Sequence, residues 1–144
     1  MTEPQLLLTD APDATARALI EEGLAGYNEE QTGLSDRRPL AVLVRDPATG
    51  AIAGGLVGRT TLGIFFLDLF FLPQSLRGRA LGSRILGMAE EEARRRGCWS
   101  AALVTISFQA PEFYARHGWR ELGRVPCKPP GSFRIFMAKD FARS

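Results

Sequence analysis

Apolar residues recur at a spacing of three to four between Leu81 and about Arg96, which predicts one amphipathic helix. Elsewhere the apolar residues fall in short runs bounded by glycine, proline or charged residues, and such runs predict strands. The run Gly63–Leu72 is almost continuously apolar, as expected of a central strand covered on both faces. In the strand candidate before it, Gly54 and Gly58 predict bulges or a close backbone approach. The strand candidates are Gln5–Thr9, Leu40–Asp46, Ala51–Thr61, Gly63–Leu72, Trp99–Ser107, Trp119–Val125 and Ser132–Asp140.

Two further segments predict helices. Asp10–Gly33 has a helical pattern, and Ala110–Gly118 predicts a short helix before the Trp119 strand. The proline-rich segment Pro126–Gly131 predicts a loop. The order of elements predicts one α/β domain over residues 1–144. In the first helix the N-cap candidates are Asp10 and Asp13, and the residues expected to break its later part are Gly23, Gly26 and Gly33.

Composition narrows the class of protein. The chain has 144 residues, of which 45% are hydrophobic and 24% charged, as in an ordinary globular protein. The net charge of +2 is too small to indicate nucleic acid or membrane as a partner. No apolar run approaches the roughly 20 residues that a membrane span needs, and the N-terminus lacks the basic region of a signal peptide. Cys98 and Cys127 fit free thiols in a reducing compartment, and the single histidine, His117, argues against a metal centre. We therefore expect a cytoplasmic protein without a metal.

The two ends of the helix predicted in the middle of the chain differ in charge. Its C-terminal end has three glutamates followed by three arginines, which suits the negative end of the helix dipole. Its N-terminal end is flanked by Arg77, Arg79 and Arg84, although the dipole there favours acids. A helix start after a strand and a glycine turn binds phosphate, because the first amides of the helix have no internal partner. The alternative is that these arginines are solvated and that Gly78 and Gly82 are only turn residues.

The residues Arg77–Gly82, RGRALG, resemble the [QR]-x-x-G-x-[GA] signature of the GNAT superfamily of acyl-CoA N-acyltransferases. Phe66–Leu86 is similar to that superfamily's fourth strand, pyrophosphate loop and third helix. Ser107–Trp119 is similar to its later helix with a tyrosine. With Gly54–Gly58 and Pro129–Lys139, the resemblance covers nearly the whole chain. It implies an α/β fold with a mixed, mostly antiparallel central sheet of about six or seven strands flanked by helices.

The resemblance implies acetyl-CoA as the co-substrate. The amides of Gly78–Ser83 would meet its pyrophosphate, with the Ser83 hydroxyl as a further donor. The pantetheine arm would pair with backbone groups at the end of the preceding strand. Gln109 would replace a contact that the family makes from the position of Ser107. The cofactor-binding residues implied are Phe70, Phe71, Leu72, Arg77, Gly78, Arg79, Ala80, Leu81, Gly82, Ser83, Ser107 and Gln109.

The resemblance also implies that an amine attacks the thioester directly. Tyr114 occupies the general-acid position, and the Leu72 amide is the expected oxyanion donor. A phenol suits an acid role because its ordinary pKa of about 10 keeps it protonated at neutral pH. Asp68 is the candidate base, and in a regular strand we expect it to be buried among aromatic residues with a raised pKa. The alternatives are that Tyr114 is a core aromatic and that Asp68 is structural.

The acceptor is expected to be the amine of a small molecule or peptide. The acidic segment Tyr27–Glu30, predicted to lie between helices, falls where the family builds its acceptor pocket, although a solvated loop is the alternative. His117 is expected to pack or cap rather than to act as a base. Neither nucleic acid nor membrane is predicted as a partner, and the resemblance implies a homodimer through late strands.

Three departures from the family pattern support a second function. Ala80 stands where the signature has a glycine, and Ser107 stands where the family has asparagine. Val104 stands where a related branch has an aspartate. A GNAT-like module that binds CoA or acyl-CoA and transfers nothing is therefore the alternative to an N-acetyltransferase.

Overall fold

The computed structural model describes residues 2–141 and divides the chain into two compact units, one ending at Ser35 and the other beginning at Asp36. The first unit contains helix α1 (Ala14–Thr32). Its N-cap is Asp13, whose carboxylate accepts a hydrogen bond from the Ala16 amide at 2.7 Å, so the second of the two cap candidates is confirmed. The helix ends at Gly33, which adopts the left-handed conformation with φ 72°.

Two predictions for this first unit are wrong. Gly23 and Gly26 do not break α1, because an interior glycine costs a helix only about 1 kcal/mol and the surrounding residues favour helix. Residues 5–9 form no strand, since an apolar run becomes a strand only where a partner strand takes up its hydrogen bonds. The prediction of a single domain over residues 1–144 stays a prediction.

The second unit holds six strands and two helices in the described residues. The helices are α2 (Leu81–Arg95) and α3 (Pro111–Arg116), and a single 3₁₀ turn covers Gln74–Leu76. The strands are β1 (Arg38–Arg45), β2 (Ile52–Thr61), β3 (Ile64–Phe71), β4 (Ser100–Ile106), β5 (Arg120–Cys127) and β6 (Ser132–Asp140).

The six strands form one sheet in the order β1-β2-β3-β4-β6-β5. All neighbours are antiparallel except β3 and β4, which are parallel because α2 connects them as a crossover. The mixed, mostly antiparallel sheet flanked by helices is therefore confirmed. The strand β5 forms an edge, which lets Pro126 pair opposite Phe133 although proline lacks an amide hydrogen. The loop predicted over Pro126–Gly131 is accordingly shorter than expected.

The core lies between α2 and one face of the sheet. Residues on one side of the helix are buried against the strands because they recur at helical spacing. Each fully buried large apolar side chain stabilises the fold by about 1.5–3 kcal/mol. The buried residues of α2 are Ile85, Leu86, Ala89, Glu90 and Ala93, and the sheet contributes Leu40, Leu56, Phe65, Leu67, Leu103, Ile135 and Met137.

The glycines of β2 mark close approaches, as the sequence predicts. A Cβ atom at Gly58 would overlap the Phe66 carbonyl oxygen of the neighbouring strand. Opposite this point β3 contains a bulge, because Val57 pairs with Leu69 while Gly58 pairs with Leu67. Asp68 is therefore the extra residue of the bulge.

Among residues 2–141, no helix is long and apolar enough to cross a membrane. The described cysteines, Cys98 and Cys127, are both free thiols, as the sequence predicts. Burial raises the pKa of the Cys98 thiol, which packs in the core.

Candidate active site

The parallel strands β3 and β4 stay paired over only half their length. The pairs run from Ile64 opposite Ser100 to Leu67 opposite Leu103, and then stop at the bulge. β4 remains paired with β6 as far as Ile106, so the two parallel strands part beyond Leu67. A cleft of about 640 Å³ lies between their C-terminal halves. We call it the strand cleft. On the side of β3 that faces this cleft, the backbone groups at the end of the strand have no neighbouring strand.

The N-terminal end of α2 opens beside the same strand end. Its first internal hydrogen bond runs from the Arg84 amide to the Ala80 carbonyl at 3.2 Å, so the amides of Leu81, Gly82 and Ser83 precede the helical ladder. The N-cap residue Ala80 is left-handed, with φ 57°, and no side chain caps the helix. No acidic residue occupies the first turn. An anion is the ligand that such an end binds.

A second cleft, of about 410 Å³, covers this helix end. This α2 cleft and the strand cleft share five lining residues, so the two meet at the end of β3 and at α3. The shared residues are Phe70, Leu72, Arg77, Ala110 and Tyr114. The α2 cleft brings together most of the cofactor residues predicted from sequence, namely Phe70, Leu72, Arg77, Gly78, Ala80, Leu81, Gly82 and Ser83.

Tyr114 is buried on α3 and lines both clefts where they meet. Its ring packs edge-on against Phe113 and Trp119, with centroids 5.3 and 5.9 Å away. Fully buried side-chain polar atoms in residues 2–141 all have hydrogen-bond partners, whereas the Tyr114 hydroxyl has none within that range. The hydroxyl is therefore open to the clefts. Burial raises the pKa of Tyr114 to about 12, so the phenol holds its proton at neutral pH.

The comparisons with known proteins agree with this geometry. The family model of the acetyltransferase (GNAT) family matches residues 7–119. An acetyltransferase of Agrobacterium fabrum is 36% identical over 135 residues, which cover 94% of this chain and 98% of that protein. The chain belongs to the GNAT family of acetyltransferases.

Two other relatives of this GNAT chain are informative. The blasticidin-S acetyltransferase of Streptomyces morookaense is 36% identical over 113 residues, covering 76% of this chain and 83% of that protein. The crystal structure of an acetyltransferase from Agrobacterium tumefaciens superposes with a TM-score of 0.87 at 35% identity, covering 96% of this chain and all of that one.

The GNAT site departs from the sequence prediction at Asp68. Its side chain is 43% exposed, not buried among aromatics, because the bulge interrupts the alternation of β3. It accepts a charged hydrogen bond from Arg59, whose guanidinium lies 4.5 Å from the Phe66 ring centroid. Asp68 lines the strand cleft but not the α2 cleft. The predicted burial is wrong, while its role as a base stays a prediction.

Four predicted cofactor residues lie outside the α2 cleft. Ser107 is bound to β6, where its hydroxyl accepts the Phe133 amide at 3.0 Å. The Gln109 carboxamide oxygen accepts the Ile106 amide at 2.9 Å and thus holds the loop after β4. Phe71, like Gln109, lines only the strand cleft, and Arg79 lines neither cleft. Val104 also lines the strand cleft.

Two side chains outside the predicted cofactor and catalytic residues lie beside this site. Phe113 lines the α2 cleft, and a Cβ on Gly82 would lie 3.5 Å from its ring. His117 contacts the Ser83 hydroxyl, with 3.0 Å between Nε2 and Oγ. Of these two residues, only His117 could have been found from the sequence, because it is the single histidine of the chain and lies three residues after Tyr114. The segment Tyr27–Glu30 is helical within α1 and not a loop, and its part in acceptor binding stays a prediction.

Proposed function

We propose that this GNAT protein is an N-acetyltransferase that moves the acetyl group of acetyl-CoA to a primary amine of a small molecule or peptide. The observation that carries the proposal is the position of the Tyr114 hydroxyl. It opens where the cleft over the α2 N-terminus meets the cleft between the parted strands. One binding surface suits an anion, the other holds exposed strand backbone, and a proton donor lies between them.

The residues of the α2 cleft fit the diphosphate of the co-substrate. Three amides precede the helical ladder at Leu81, Gly82 and Ser83, and Arg77, Arg79 and Arg84 add positive charge nearby. Ala80 keeps the left-handed conformation that a glycine would adopt freely, at a cost of about 1–2 kcal/mol. The replacement of glycine by alanine therefore leaves the loop with a glycine-like backbone.

The end of β3 fits the extended arm of the co-substrate. Pairing with β4 stops at Leu67, so the segment Leu69–Phe71 is paired on one side only, with β2. An extended chain adds to such an edge by backbone hydrogen bonds. The Arg77 guanidinium donates to the Leu72 carbonyl at 2.8 Å, which fixes the helix loop to this strand end. This hydrogen bond holds the proposed diphosphate site next to the strand edge.

Acetyl-CoA supplies an activated acyl group. Groups of this protein stabilise the negative charge and transfer the protons that its reaction with an amine requires. The Leu72 amide donates to the carbonyl oxygen as negative charge develops there. The Tyr114 hydroxyl donates its proton to the sulfur as that atom leaves. Asp68, or a water molecule near it, receives the proton that the amine loses. Asp68 lines the strand cleft and forms an ion pair with Arg59.

One relative supports the proposed acceptor class. A relative that is 36% identical acts on blasticidin S, which supports a small-molecule amine. A cytoplasmic location and a homodimer remain part of the proposal. The second candidate, a CoA-binding module without transferase activity, is favoured by the Ser107 hydroxyl, which is engaged by Phe133 rather than facing the α2 cleft.

The substitution Tyr114→Phe tests the proposal. It keeps the ring contacts and removes only the proton donor. We expect kcat to fall roughly 100-fold or more, with the KM for the amine nearly unchanged, because the proton transfer acts in the transition state. Release of the CoA thiol is measured with acetyl-CoA and a panel of amines, alongside the melting temperature and the affinity for CoA.

The outcomes separate the two candidates. A stable variant with wild-type kcat removes Tyr114 from the mechanism. A wild-type protein that binds CoA and releases no thiol with any amine supports the binding module instead.

A further inference from the structure

A side chain outside the predicted cofactor residues contacts one of the residues that line the α2 cleft. Ser83, the third residue of α2, lines the cleft with a hydroxyl that lies 3.0 Å from Nε2 of His117. His117 follows the last residue of α3, and its ring packs against Phe113 with centroids 4.8 Å apart. A histidine on α3 therefore touches the only hydroxyl at the amides that open α2.

The backbone of His117 is anchored by an ion pair whose carboxylate is buried. The Lys139 ammonium donates to the His117 carbonyl at 2.6 Å and lies 2.7 Å from Oε1 of Glu90. Glu90 is buried on α2 and also accepts the Trp119 indole N–H at 3.2 Å. A buried carboxylate with this many hydrogen bonds favours one geometry, since losing a partner leaves its charge unsatisfied. Phe113 thus packs against the ring of His117, while this pair holds its backbone.

The direction of the hydrogen bond between the two side chains decides what Ser83 can do. A serine hydroxyl has one hydrogen, and each nitrogen of a neutral imidazole either donates or accepts. If Ser83 donates to Nε2, its hydrogen is used and the hydroxyl offers an anion nothing. If Nε2–H donates to Oγ, the hydroxyl hydrogen is free for an oxygen of the ligand. An anion in the α2 cleft selects the second arrangement.

We propose that His117 is a positioning residue for the diphosphate of the co-substrate. Its Nε2–H donates to Ser83, which leaves the Ser83 hydroxyl free to donate to the diphosphate. The hydroxyl then acts together with the helix amides and the arginines. This inference rests on the proposed function, because the diphosphate is that of CoA. It assigns His117 no part in proton transfer to or from the reacting atoms.

The single histidine of the chain makes the proposal directly observable. An untagged protein labelled with ¹⁵N-histidine gives ring signals from His117 alone. Nitrogen chemical shifts and couplings distinguish Nε2–H from Nδ1–H. On addition of CoA we expect the ring to be in the Nε2–H form with a slowly exchanging proton. A ring that stays in the Nδ1–H form with CoA bound overturns the proposal.

Affinity measurements with four variants give the second test. The variants are His117→Phe, His117→Gln, Ser83→Ala and the double variant Ser83→Ala/His117→Phe. His117→Phe keeps an aromatic ring beside Phe113 and removes the donor, and we expect the Kd for CoA to rise about tenfold. His117→Gln restores an amide donor and should recover most of that loss. The double variant should bind no more weakly than Ser83→Ala, since both changes remove the same contact.

A ligand without the diphosphate serves as the control. The affinity for acetyl-pantetheine should be the same in the wild type and in every variant, because this ligand does not reach Ser83. Equal CoA affinity in the wild type and His117→Phe overturns the inference and leaves the proposed function standing. Additive losses in the double variant also overturn it. A wild-type protein that binds no CoA overturns both the inference and the proposed function.

Discussion

The two ends of helix α2 are built in opposite ways. At the C-terminal end, Glu92 accepts from Arg95 at 2.5 Å and from Arg96 at 2.9 Å. Arg96 also donates to the Pro39 carbonyl and the Thr60 hydroxyl, at 3.0 and 3.1 Å. At the N-terminal end no side chain caps the helix, the first turn has no acid, and arginines surround it.

The difference separates the end of the helix that supports the fold from the end that we propose as the binding site. At the C-terminal end the arginines stabilise the negative end of the helix dipole, and each of them pairs with a glutamate of the same helix. The N-terminal end places positive side chains at the positive end of the dipole, an arrangement that an anion stabilises. The fold can tolerate this end because a missing cap costs only about 1 kcal/mol. We therefore propose that the unfavourable end of α2 is the functional one.

The largest expected effect comes from filling the N-terminal end. In Gly82→Leu the new side chain enters the α2 cleft, since even its Cβ lies 3.5 Å from the Phe113 ring. We expect the Kd for CoA to rise 100-fold or more, which is about 3 kcal/mol of binding free energy. Calorimetric titration measures the change.

A glycine later in the same helix provides the matched control. A Cβ at Gly87 meets no atom within 4 Å, so Gly87→Leu adds a side chain of equal size away from the cleft. Its CoA affinity should equal that of the wild type. Equal weakening by the two substitutions would show that the N-terminal end has no special part in binding.

Charge reversal at each end should have opposite consequences. Arg84→Glu places an acid in the first turn, where it should stabilise the free protein by about 0.5 kcal/mol and weaken CoA binding about tenfold at low salt. Arg95→Glu should destabilise the protein and leave CoA affinity within twofold. Urea unfolding and calorimetry on both variants measure these changes. A loss of CoA affinity in Arg95→Glu as large as that in Arg84→Glu contradicts the comparison.

The smallest effect concerns acid sensitivity at the C-terminal end. The hydrogen bond from Arg96 lowers the pKa of Glu92 below its ordinary value. A carboxyl whose folded pKa is lowered stabilises the protein above its unfolded pKa, and this stabilisation is lost as the pH falls through the folded pKa. The free energy of unfolding should therefore decrease less below pH 4.5 in Glu92→Gln than in the wild type. If the free energy of unfolding falls equally with pH in the variant and the wild type, Glu92 does not contribute to this stabilisation.

Sequence pattern predicts the elements that depend on local spacing. Helix α2 was predicted from Leu81 to about Arg96 and ends at Arg95, because its apolar stripe and its terminal arginines are local signals. The bulge at Asp68 was missed, since it depends on how β3 pairs with β2. A strand pattern assumes regular alternation, and one extra residue reverses the face of every residue after it. Asp68 is that extra residue, and its side chain is exposed.

The contacts of the candidate site divide in the same way. The loop from Arg77 to Ser83 is contiguous, so its composition alone indicated an anion site. Ser83 and His117 are 34 residues apart, and their contact depends on how α2 and α3 pack. Ser107 was expected at the cofactor but bonds to Phe133 across the sheet. Such pairings follow from the tertiary arrangement and carry no local sequence signal.

The most direct test of the account is the melting temperature of the wild-type protein with two related ligands. CoA at a hundredfold excess over its Kd should stabilise the fold by about 2.7 kcal/mol and raise the melting temperature by several degrees. Pantetheine at the same concentration lacks the diphosphate and should leave the melting temperature almost unchanged. A melting temperature that CoA does not move, or that pantetheine raises equally, would contradict the claim that the N-terminal end of α2 binds the diphosphate.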